Sequence, residues 1–155
     1  MNEYLLEARE ELKRLEHLLY VSLKYTRTVD VLINALNRLI NIYDLIIEAL
    51  LEKAHEEKMI PSLPKSPGLR SNCLAGLYPE DQELQKFLSF YIFMRTVLNS
   101  AHTKRQEFRR HVTLIVQLDQ STAEIDSDNL INCEKFAHKF FNYATEKIMG
   151  KPEED

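Results

Sequence analysis

Apolar side chains recur along this chain mostly at the spacing of a helix. Leu5, Ala8, Leu12, Leu15 and Leu19 are separated by steps of three and four, which lines them up as one stripe and predicts a helix over about Asn2 to Ser22. Charged residues from Glu7 to Arg14 fill its other side. A second stripe, Val29, Leu32, Leu36, Leu39, Tyr43, Ile46 and Leu50, alternates steps of three and four as a heptad seam does. It predicts a helix over about Arg27 to Lys58, roughly 48 Å long at 1.5 Å per residue. Between the two, LKYTRT (Leu23 to Thr28) contains no Gly or Pro. Either Thr26 or Thr28 caps a new helix there, or one helix runs through. A third stripe, Leu84, Phe87, Tyr91, Met94, Leu98, Ala101 and Phe108, predicts a helix opened by Pro79 and running to about Arg109. A fourth, Leu130, Cys133, Ala137, Phe140, Ala144 and Ile148, is capped by Asp126 or Ser127 and stopped by Gly150 and Pro152.

Two stretches leave this period. Met59 to Pro79 holds four of the five prolines and reads as a loop, 59–79. HVTLIVQL (His111 to Leu118) is rich in β-branched residues, and TAEID (Thr122 to Asp126) follows a polar turn, so 111–126 reads as a β-hairpin. A two-stranded hairpin is marginal alone and must lie on the helices or pair with a second copy. The expected fold class is therefore all-α: four long helices in an up-down (antiparallel) bundle with a small β-hairpin before the last helix. Residues 1–150 form one domain and 151–155 a disordered tail.

Composition narrows the class. With 155 residues, 45% apolar and 28% charged, the chain can bury a sizeable core. It shows no apolar run of transmembrane length and no apolar signal core near its start. The expectation is a cytoplasmic protein with no membrane contact. Cys73, placed in the loop, and Cys133, placed in the last helix, have no metal-ligand spacing around them and read as reduced, structural residues. His55 with Glu52 and Glu56 imitates part of a metal site but lacks a second His at helical spacing. No metal, P-loop, dinucleotide fingerprint or cofactor is expected.

One segment stands out. HTKRQEFRRH (His102 to His111) concentrates Lys104, Arg105, Arg109 and Arg110 between two histidines, in a chain of net charge −4. If the third helix reaches Arg109, then Arg95, His102 and Arg109 lie seven apart on one side of it, with Arg105 between. Arginine forks there would hold a phosphate, and a histidine would move a proton near neutral pH. The structural alternative pairs Arg95 with a first-helix carboxylate such as Glu10 or Glu16.

RTVLNSAH (Arg95 to His102) and RQEFRRH (Arg105 to His111) both resemble the R-x4-6-H motif of the HEPN superfamily, whose helical-bundle outline this chain also resembles. The resemblance implies a homodimeric bundle. In catalytic members the Arg holds an RNA phosphate and the His acts as acid or base without a metal. Here those roles would fall to Arg95 and His102, or to Arg105 and His111, with Lys104, Arg105, Arg109 and Arg110 binding phosphate. Inactive members imply an interaction module that binds a partner protein, a nucleotide or RNA, as in toxin–antitoxin pairs. Two readings stand: such a module, and a metal-independent RNA endonuclease.

Overall fold

The computed structural model describes residues 2–150; the tail expected over 151–155 lies outside the described residues. The chain is mostly helical, with one small antiparallel sheet. Helix α1 (Glu3–His17) is capped by the Asn2 side chain, which accepts from Leu5 N–H. It continues through a π-helical turn (Leu18–Ser22) into a short α2 (Leu23–Tyr25). Thr26 leaves the helical region and Thr28 caps α3 (Val29–Glu56), its hydroxyl accepting from Val31 N–H. The helical run therefore passes through half of LKYTRT and breaks in the other half.

Helix α3 is the centre of the fold. It packs against α1 and against three further helices, α4 (Pro67–Leu77), α5 (Gln82–Leu98) and α6 (Ser127–Met149). All seven seam residues from Val29 to Leu50 are buried, and so are Ala35, Ile42, Leu45, Ile47 and Ala49 from its other rows. The heptad-spaced seam is thus filled within the chain itself. Between α5 and α6 the gap is bridged by aromatic rings. Phe87 stacks on Phe140 with 4.7 Å between centroids and leans on Phe136 at 4.8 Å, while Tyr43 of α3 meets Phe140 at 5.0 Å.

Two expectations about the middle of the chain are corrected. Residues 59–79 are not all loop: Ser66 caps α4, Pro67 occupies its first turn, and Leu74 is fully buried. Proline at the first helical position loses no hydrogen bond, so the prolines here start a helix. Cys73 sits in that helix, half-buried. Pro79 does not open α5; Asp81 does, accepting from Leu84 N–H. Burial pushes the Asp81 carboxyl up. The hydrogen bonds from Tyr143 and Leu84 and the charge of Lys147 outweigh this and hold it below the usual range.

The larger correction concerns the third helix. α5 ends at Leu98, eleven residues before Arg109, and His102–Arg105 is a strand, β1. It pairs with β2 (Thr113–Gln117), which pairs with β3 (Thr122–Ile125), all antiparallel, with β2 in the middle. The expected β2–β3 hairpin exists but gains a third strand, and Leu114 and Val116 of β2 are buried where the sheet meets α3. Phe108, assigned to the apolar stripe, is 76% exposed.

One buried group lacks a partner. The Tyr43 hydroxyl makes no hydrogen bond among the described residues, and burial raises it well above the ordinary tyrosine range. An unpaired buried hydroxyl carries a desolvation cost of about 1–3 kcal/mol. Tyr43→Phe is expected to leave stability unchanged or raise it by about 1 kcal/mol, measured by urea unfolding. A loss above ~1 kcal/mol would show that the hydroxyl has a partner after all.

Candidate nucleic-acid interface

The end of α5 explains where the basic segment goes. Asn99 N–H still bonds Arg95 O, and Ser100 folds its hydroxyl back onto Thr96 O. Such short polar side chains compete with the helix ladder and favour its termination. Ala101 O then accepts from Gln117 N–H, which begins the ladder that pairs His102 with Val116 and Arg105 with Thr113. β1 is an edge strand, and each of its four residues is exposed. Lysine and arginine suit such an edge because they discourage further strand pairing.

The connection from β1 to β2 is anchored on the α2–α3 junction. Phe108 N–H donates to Arg27 O. The Glu107 carboxylate accepts from Val29 N–H at 3.1 Å and pairs with Lys104 at 3.0 Å. These contacts, the Val29 bond first, hold the Glu107 carboxyl below the usual glutamate range. Gln106 (φ 57°) and Phe108 (φ 65°) both lie in the left-handed region, where side chains other than glycine are disfavoured. The anchor thus holds a locally strained loop, and Phe108 on it is exposed.

Each expected phosphate-binding or catalytic residue of the segment can now be placed. His102, Lys104 and Arg105 are on β1, and Arg109, Arg110 and His111 are on the loop; all six are exposed. Arg105 is paired with Glu124 of β3 at 3.0 Å, and Lys104 with Glu107. Among the described residues no carboxylate forms an ion pair with Arg109 or Arg110.

Arg110 does not stand alone. It lines a groove of about 160 Å³ together with Lys24, Arg27, Tyr20 and Ser127. Lys24 and Arg27 likewise have no ion-pair partner among the described residues. Ser127 is the first residue of α6, whose cap is a reciprocal pair: Asp126 accepts from Asn129 N–H, and the Asn129 side chain from Asp126 N–H. The helix dipole favours an anion at this end, but Asp126 and Asp128 offset it. The three cations therefore carry the positive potential. Tyr25 is 85% exposed, on the same junction that holds the loop bearing Phe108. Lys24 and Arg27 were not singled out from sequence. Their signal was present in LKYTRT, which drew attention only as a helix break.

Arg95 lies elsewhere. It is half-buried on α5 and lines a groove of about 510 Å³ with Gly68, Ser71, Asn72, Thr96 and Asn99. Its guanidinium sits 5.7 Å from the centre of the Tyr91 ring, and Tyr91 donates its hydroxyl proton to Asp44. The Asp44 carboxyl is raised by burial, against the opposing influence of Tyr91, Arg95 and Arg70. The carboxylate near Arg95 is therefore Asp44 of α3. The alternative partners are engaged otherwise, Glu10 with Lys13 and Glu16 with His138. The helical row of Arg95, His102, Arg105 and Arg109 does not form, because α5 stops before its second member. Arg105 and His111 do belong to one hairpin, at the two sides of its loop.

Among the described residues no helix is long and apolar enough to cross a membrane. The chain matches no protein-family model, and no curated protein or solved structure matches it.

Proposed function

We propose that this chain is a HEPN-like helical interaction module, with α1, α3, α5 and α6 as an up-down bundle, that binds single-stranded nucleic acid, RNA foremost, without cleaving it. The observation that carries the reading is the convergence of Lys24, Arg27 and Arg110 on one groove, with no carboxylate paired to them among the described residues. Two solvent-exposed aromatic rings, Tyr25 and Phe108, lie on the segments that border it. Unpaired cations follow a phosphate backbone, and exposed rings stack on bases of any sequence. The chain's net charge of −4 makes such binding local to this face. Dimerisation, part of the same reading, would double the number of patches.

The test is fluorescence anisotropy with a labelled single-stranded oligoribonucleotide across a range of salt. If three or four cations contact phosphates, log K should fall against log salt with a slope of about −2 to −3. Absence of binding even at low salt overturns the reading. A second reading, the metal-independent endonuclease, uses Arg95 with His102 or Arg105 with His111, and the second pair shares one hairpin. It would replace the first if metal-free protein cut the same oligonucleotide and Arg105→Ala and His111→Ala, or Arg95→Ala and His102→Ala, abolished cutting.

A further inference from the structure

The contact between α1 and α6 contains a convergence of a different kind. His138 Nε2 lies 3.0 Å from Glu16 Oε1 and 2.9 Å from Glu134 Oε1. The three atoms all fall within 4.8 Å of one another. Glu134 and His138 are one turn apart on α6 and so face the same way; the packing of α1 brings Glu16 to them. A neutral imidazole nitrogen carries at most one proton and donates one good hydrogen bond, yet two carboxylates compete for this one. Glu134 is only 5% exposed on its side chain, where an uncompensated carboxylate is costly. No Lys or Arg among the described residues pairs with Glu16 or Glu134.

We propose that Glu16, Glu134 and His138 bind a divalent transition-metal cation, Zn²⁺ in the first place. One imidazole and two carboxylates form a donor set suited to Zn²⁺ and its neighbours, and poorly suited to the all-oxygen preference of Mg²⁺. Ligands at about 2.0–2.2 Å around a tetrahedral ion stand about 3.3–3.6 Å apart. The two Nε2–carboxylate separations, 3.0 and 2.9 Å, therefore need to open by roughly half an ångström. The cation takes the Nε2 lone pair of the neutral ring: the proton on Nε2 leaves to solvent and Nδ1 takes one up from solvent, so the ring stays neutral with its single hydrogen on Nδ1. It supplies the positive charge that both carboxylates lack. Glu16 and His138 are 46% and 39% exposed on their side chains, so the remaining coordination position opens to water. The site clamps α1 to α6 and borders the basic groove, which Tyr20 shares through its proximity to both carboxylates.

Thermal unfolding of chelator-treated protein tests this. Zn²⁺ at ~100 times its dissociation constant should raise the Tm by about 5 °C or more, with Mg²⁺ giving no rise. Titration calorimetry should give one site per chain. The rise should disappear in both His138→Ala and Glu16→Gln, substitutions of partly exposed side chains, with circular dichroism checking that each variant is folded. No rise with Zn²⁺ or Mn²⁺ in the unaltered chain overturns the proposal. An equal rise in the two variants also overturns it, since the metal would then sit on other histidines or the cysteines.

Discussion

Reversing Arg27 and Arg110 together to glutamate should weaken oligoribonucleotide binding about 100-fold and lower the salt slope by about 1.4. The first figure follows from two charge-assisted phosphate contacts at about 1.5 kcal/mol each. The second follows from a loss of about 0.7 per phosphate on a single strand. The fold should survive, because the contact that anchors the hairpin uses the backbone oxygen of Arg27 and not its side chain. Circular dichroism and an unchanged Tm would verify that. The control is Arg9→Glu with Lys86→Glu, which changes net charge by the same amount at exposed positions on α1 and α5. If the control weakens binding equally, affinity tracks net charge and the groove has no special role. If neither pair changes affinity, the groove is not the contact surface.

This expectation depends on a surface that could be read from the sequence only in part. HTKRQEFRRH announced its charge, and every one of its six candidate side chains is exposed. Its conformation was not legible. Positions 95, 102 and 109 fall at heptad spacing, and apolar residues at 98, 101 and 108 prolong the third stripe, so local period favours a continued helix. The strand at His102–Arg105 exists because β2 offers it an edge. That pairing reaches across the hairpin loop to residues 8 to 14 positions away, and strand context overrides helical preference in such cases. The polar pair Asn99–Ser100 was the local hint of a stop. Lys24 and Arg27 are 86 and 83 residues from Arg110 in the chain, and only the docking of Glu107 and Phe108 on the α2–α3 junction unites them. The same limit hid the triad at Glu16, since its α6 partner His138 lies 122 residues away. By contrast the α3 seam and the α6 stripe were readable at once, because a buried helix face records its period in one contiguous segment. The first turn of α4 was readable too, as a serine cap followed by proline, but the number of prolines around it masked the signal.

Phe87→Ala should be the most damaging single change in the core, lowering the stability to urea by about 3–5 kcal/mol. Phe87 is 1% exposed and meets three rings of α6: Phe140 at 4.7 Å, Phe136 at 4.8 Å and Tyr143 at 5.8 Å. The two helices stand far enough apart to need large side chains between them, so removing this ring leaves a void that neighbouring aliphatic residues cannot fill. The cost then combines lost transfer free energy with a cavity term. Phe93, on the same helix but 44% exposed, provides the contrast: Phe93→Ala should cost less than about 1 kcal/mol. The m-value should stay constant in both, as expected when stability alone changes. A Phe87→Ala loss below ~1 kcal/mol would mean that α5 and α6 can close on each other after the ring is gone. The aromatic layer would then be a filler between helices and not the contact that fixes their spacing.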